Sequence, residues 1–129
     1  MIIIPSFQRY ENIQKHTLSY LARCGIKPDN ITVIVSAHDQ QLADYLTLPC
    51  KVLITDANRI GEVHNFITDY YDEGEFIVEL DDDIRHIKNK DLENILNFED
   101  LMSKAKQLLI DNDASYCGTY SVPNKLFMN

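Results

Sequence analysis

The sequence predicts an α/β protein, an α/β/α sandwich around a mainly parallel sheet, and three observations carry that prediction. Apolar, strand-like runs alternate with helical periodicities along the chain. The run ITVIVS (31–36) is β-branched almost throughout, as strands buried on both faces tend to be. Small or charged polar residues follow each early run, as expected where parallel strands end on a binding rim.

The elements follow in order. Ile2 to Ile4 is a short apolar run broken by Pro5, a first strand. YENIQKHTLSYLARCG (10–25) brings Ile13, Leu18, Leu21 and Cys24 near one helical face, with Gly25 as the stop and Pro28 beyond it. ITVIVS is the second strand, DQQLADYLT (39–47) a short helix ending before Pro49, and KVLIT (51–55) the third strand. GEVHNFITDYYDEG (61–74) carries Val63, Phe66, Ile67 and Tyr70 at i, i+3, i+4 and i+7, an amphipathic helix closed by Gly74. EFIVEL (75–80) is the fourth strand, FEDLMSKAKQLLIDN (98–112) another helix and SYCGTYSV (115–122) a fifth strand. With no repeat and no linker-like segment, residues 1–129 are expected to form a single domain.

The totals narrow the function. A net charge of −8 without any Lys/Arg cluster argues against general nucleic-acid binding or a membrane-surface role. Cys24, Cys50 and Cys117 are odd in number, far apart and without zinc-type spacing, so reduced thiols and a cytoplasmic location are expected. No apolar run approaches a membrane span, so no membrane insertion is expected.

Parallel sheets bind ligands beyond the carboxyl ends of their strands. That rule gathers PSFQR (5–9), SAHD (36–39), DANR (56–59) and the triplet Asp81-Asp82-Asp83 on one rim. Adjacent carboxylates in a cleft repel one another unless a cation relieves them. Mg²⁺ or Mn²⁺ takes oxygen ligands and keeps open positions for phosphates. Arg9 and Arg59 could meet further phosphate charge, and the helix opening near Gly61 offers backbone N–H groups. The plain alternative is a solvated, capping turn.

IPSFQR after the first strand, NRIGEVHN leading a helix and an apolar strand ending in DDD together resemble the GT-A nucleotide-sugar glycosyltransferases. The nearest likeness is to small phage and large-DNA-virus members that open with IPSYxR-like segments, which implies the host cytoplasm if the chain is viral. The resemblance covers about residues 1–122 in order and spacing. It implies that Pro5, Ser6 and Arg9 cradle the base and ribose, and that Arg59 and Gly61 lie against the nucleotide. Asp81 would serve the ribose or the metal and Asp83 the metal, Mn²⁺ or Mg²⁺, that bridges the diphosphate. Asp82 is the weaker candidate and Asn65 a structural one.

The implied activity is metal-dependent transfer of a sugar from a nucleoside-diphosphate donor to a glycan, protein or modified-base acceptor. Two departures stand out. Ser36 follows the second strand where many members carry an acid that reads the base, and Asp39 comes three residues later. The family's acceptor half, catalytic base and late metal-binding histidine would lie beyond Asn129, so the chain reads as a minimal member or as the nucleotide-binding half of a longer one. No catalytic base is assigned.

Among the remaining polar residues, His86 and His38 could serve the rim, while His64 and His16 read as solvated. Arg85 is expected to neutralise the triplet, Glu79 to find an edge or an arginine, and Phe7 to meet either a base or the core. A non-catalytic nucleotide-sugar-binding or scaffolding module is the alternative function. A nucleotidyltransferase would show glycines after the first strand, and a receiver domain acids there; PSFQR has neither.

Overall fold

The computed structural model describes residues 1–118, which gather into two compact units, one of residues 1–85 and one beginning at His86. The first unit is α/β. Its four-stranded sheet, in the order β3-β2-β1-β4, is built from β1 (Ile2–Ser6), β2 (Ile31–Ser36), β3 (Lys51–Thr55) and β4 (Val78–Glu79). Every pairing is parallel, with Ile2 opposite both Ile31 and Val78, and Val33 opposite Val52.

β2 is buried along its whole length, which explains why its sequence lacks polar alternation. Ile3 of β1 and Ile34 of β2 form a core with Ile67, packed by Leu53, Val63, Phe66, Tyr71 and Ile77. Ile67, Val63 and Phe66 belong to α4 (Ile60–Tyr70), the predicted amphipathic helix. It stops at Tyr70, earlier than the expected closure at Gly74, which instead lies at φ +87° in the turn that follows.

Between β1 and β2 the chain forms α1 (Tyr10–Ile13), a π-helical stretch (Gln14–Leu18) and α2 (Ser19–Arg23). The π turn rotates the inward face. Ile13, Thr17, Tyr20 and Leu21 are buried, whereas Leu18 and Cys24, expected inside, are half-buried. The helix closes by a Schellman arrangement: Ile26 N–H donates to Leu21 O at 3.0 Å and Gly25 N–H to Ala22 O at 3.0 Å. After a 3₁₀ turn (Pro28–Asn30) comes β2, and between β2 and β3 lies α3 (Leu42–Tyr45).

Gly25 has φ +77° with open space where a side chain would stand, whereas Gly61 sits in a helix with equally open space. Gly25→Ala is therefore expected to cost about 1 kcal/mol through backbone strain alone. Gly61→Ala should gain up to about 0.5–1 kcal/mol from helix propensity. Urea midpoints of the two variants, shifted in opposite directions, check both.

The fourth strand is two residues long where six were expected. Residues 75–77 make no ladder pairing, and at the other end Pro5 sets where the strand stops. Val78 N–H donates to Met1 O and Leu80 N–H to Ile3 O, both at 2.9 Å. The next rung of a parallel ladder would run from the N–H of residue 5 to the Leu80 carbonyl, and proline has none to give. Pairing stops, and residues 81–83 leave the sheet.

In the second unit, α5 (Phe98–Asp111) is capped by Asn97, whose side chain accepts from Asp100 N–H at 3.0 Å. Ahead of it, Lys88 and Asn94 form an isolated antiparallel bridge. Of the expected fifth strand, residues 115–118 are irregular and 119–122 lie outside the described residues. Among the described residues no helix is long and apolar enough to cross a membrane.

Candidate functional site

The carboxyl ends of all four strands contribute to one cleft of about 530 Å³, within the range of about 300–1,000 Å³ usual for small-molecule sites. β1 gives Pro5, Ser6, Phe7 and Arg9; β2 gives Ser36; the segment after β3 gives Ala57, Asn58 and Arg59; β4 and its exit give Glu79, Asp81, Asp82 and Asp83; α4 adds Val63 and His64. Strand order changes direction between β1 and β4, which is where α/β sheets place their crevices. Of the residues expected at the site, Pro5, Ser6, Arg9, Arg59, Asp81 and Asp83 line this cleft; Gly61 does not.

The loop after β1 is fixed by side chains from beyond β2. Gln8, at φ +53°, donates its N–H to Asp39 Oδ2 at 2.7 Å. The next two N–H groups go to Tyr45 Oη (3.0 Å) and Gln41 Oε1 (3.0 Å). The entrance to α1 therefore has its first donors committed. Asp39 is buried and spends its other oxygen on Gln41 N–H at 2.7 Å, so it braces this loop.

The triplet divides by burial. Leu80 and Asp82 are buried while Asp81 and Asp83 are exposed, with Asp82 and Asp83 in the turn that follows β4. Asp82 Oδ1 meets Arg9 Nη1 at 3.0 Å, and Oδ2 accepts from Ser6 Oγ at 2.7 Å. Ser6 has one proton and gives it to Asp82, so at the 2.7 Å Ser6–Tyr45 contact the phenol is the donor. Tyr45 Oη in turn accepts from Arg9 N–H. The result is a closed ring running Arg9 N–H, Tyr45, Ser6, Asp82 and back to the Arg9 guanidinium. Burial raises the Tyr45 pKa above its ordinary value, with the Ser6 and Arg9 hydrogen bonds opposing, so the phenol keeps the proton that the ring requires.

Arg9 also reaches Asp83, Nη2 to Oδ2 at 3.2 Å, and properly oriented Asn12 accepts from Nε and Nη2 at 3.2 and 3.1 Å. The charge that relieves the carboxylates is thus already in the fold. Asp82, the weaker candidate by resemblance, anchors the cleft floor. The turn itself is stapled by Thr17 of the π stretch, whose Oγ1 donates to Asp81 O at 2.7 Å and accepts from Ile84 N–H at 2.9 Å. Arg85, expected to neutralise the triplet, makes no ion pair with it among the described residues; its carbonyl accepts from Arg23 Nη2 at 2.6 Å.

No protein family, curated protein or solved structure matches this chain.

At the α4 entrance, Glu62 accepts from Asn58 N–H (2.9 Å) and Arg59 N–H (3.2 Å). These two bonds hold its carboxyl below the usual carboxylate range. Part of the donor capacity expected near Gly61 is therefore used within the helix cap. His64, expected in solvent, is exposed and also pairs with Glu79 across the cleft wall, Nδ1 to Oε1 at 3.0 Å. Glu79 lies on the edge strand of the four-stranded sheet, as one of its two expectations had it, and its partner there is a histidine rather than an arginine. His86 and His38 do not line the cleft.

Among the described residues no three His, Cys, Asp or Glu side chains converge into a metal-holding group. A hard divalent ion at a phosphate site commonly takes only one or two carboxylates, the rest being water and substrate oxygens. Both Asp82 oxygens are engaged. Asp83 keeps Oδ1 outside its contacts with Arg9, and the Asp81 carboxylate has no hydrogen-bond partner among the described residues. The donor set fits an ion held jointly with a ligand.

Proposed function

We propose that the chain carries the donor-binding site of a metal-dependent glycosyltransferase, with a GT-A-like three-layer arrangement, that takes a nucleoside-diphosphate sugar. One observation carries the reading: an acidic triplet leaves the sheet at the crevice that also holds the post-β1 loop and Asn58–Arg59. Pro5 and Ser6 would lie along the base and ribose, Arg59 toward the phosphates, and Asp81 and Asp83 would hold Mn²⁺ or Mg²⁺. The ion would supply charge compensation for the departing diphosphate. Arg9, committed to Asp82 and Asp83, positions the triplet in this reading and no longer serves as a primary base contact.

A second reading, a non-catalytic nucleotide-sugar-binding module, is favoured by that same Arg9, which balances two of the three carboxylates without an ion. Calorimetric titration of UDP and GDP, with and without Mn²⁺, tests both. Metal-dependent binding that weakens at least tenfold in Asp83→Ala is the expected result. Donor hydrolysis then separates the enzyme from the module. No binding under any condition leaves the triplet an Arg9-neutralised turn.

A further inference from the structure

The cleft differs in chemistry from one side to the other. Glu79 and the triplet make it acidic at β4 and its exit, whereas no carboxylate from β2 or the segment after β3 lines it. Phe7 from the β1 loop and Ile60 at the α4 entrance line it as well, and they are 48% and 65% exposed. In the order β3-β2-β1-β4, β2 stands two strand spacings from β4, about 10 Å. A nucleotide with its phosphates at the triplet spans that interval with its ribose and base.

Ser36 closes β2 and lines the cleft while only 5% exposed. Its Oγ accepts from His38 N–H at 3.2 Å, and its own proton has no acceptor among the described residues. The other buried hydroxyl of the cleft, Ser6, gives its proton to Asp82. Thr55 makes the matching turn after β3, accepting from Ala57 N–H at 3.2 Å, but does not line the cleft. Ser36 therefore carries the one open buried hydroxyl of the cleft among the described residues. No acid stands beside it to read a ring N–H, because Asp39 is spent on Gln8 and Gln41 N–H and lies outside the cleft lining. A carbonyl oxygen completes the Ser36 hydroxyl. An amine at the same place brings another donor and leaves the serine proton unpaired in a site that water reaches poorly.

We propose that Ser36 is the base-selecting residue of the cleft, its hydroxyl donating to a keto oxygen on the edge of the base, so that the donor carries uracil, thymine or guanine rather than cytosine or adenine. The inference rests on the nucleotide-sugar reading and deepens it by naming the class of base. Phe7 and Ile60 supply the apolar surface against which a flat ring packs, and Ser36 supplies the direction. Apolar contact is indifferent to which base is present, and an unpaired donor is not, so selectivity falls to the serine.

UDP with CDP, and GDP with ADP, are the probes, because each pair exchanges a keto oxygen for an amine on the base and keeps the diphosphate. Calorimetry with Mn²⁺ should show the native chain binding the keto member of at least one pair about tenfold more tightly. Ser36→Ala should bring that ratio to within about twofold, and Ser36→Thr, which keeps the hydroxyl, should retain it. The ratio within a variant is the readout, since a purely structural loss weakens both members alike. Melting curves show which variants fold, and the preference of the native chain stands as a test without them. Equal binding of keto and amino members by the native chain, or an unchanged ratio in Ser36→Ala, overturns the inference while the nucleotide-sugar reading stands. Failure of all four nucleotides to bind overturns the two together.

Discussion

Replacing Arg9 by methionine is expected to lower the melting temperature by roughly 6 °C at neutral pH, and Mn²⁺ to restore part of the loss. Methionine keeps most of the apolar stem and removes the guanidinium, leaving Asp82 buried with Ser6 as its remaining side-chain partner. Removing one partner of a buried pair costs about 3–5 kcal/mol. The Arg9 end is 45% exposed, and water replaces some of what it gave, so about 2 kcal/mol is the better expectation. In a chain of this size that corresponds to roughly 6 °C.

The metal arm decides between two accounts of the triplet. An ion present at a hundred times its dissociation constant contributes about 2.7 kcal/mol. Stabilisation by Mn²⁺ in the variant supports Asp81 and Asp83 as ligands. If Mn²⁺ together with UDP or GDP moves neither the native nor the variant melting curve, Arg9 alone accounts for the triplet and the metal reading falls.

The central strand and the α4 stripe were legible because burial writes itself into composition: a strand covered on both faces shows no alternation of apolar and charged positions. β4 was harder to read, since an apolar run does not tell how long its neighbour can keep pairing. The limit was nevertheless present in the sequence as Pro5, five residues into the chain and some seventy away from its effect. Asp82 was not readable in this way: a DxD pattern directs attention to the outer two aspartates, and the middle one is buried by a turn that Thr17, more than sixty residues away, holds. The π stretch left no such trace. Ile13, Leu18 and Leu21 satisfy an ordinary helical face, and only tertiary contact with the triplet turn selects Thr17 for the interior.

Thr17→Val is expected to cost about 2–3 kcal/mol and to weaken nucleotide binding beyond what that loss explains. Thr17 is fully buried, and its hydroxyl both donates to Asp81 O and accepts from Ile84 N–H. Valine matches the shape but leaves a carbonyl and an amide unpaired, at about 1–3 kcal/mol for each group that water cannot reach. Thr17→Ser retains both bonds and loses one methyl, so about 1 kcal/mol is its expected cost. The two variants separate packing from positioning. Comparing donor affinities well below either melting temperature, where both are folded, should leave Ser near native and Val several-fold weaker. An equal loss in both would mean that Thr17 only fills space. A loss confined to Val would mean that a hydroxyl in the first helix holds the carboxylates of β4 at the distance from the β1 loop that the cleft requires.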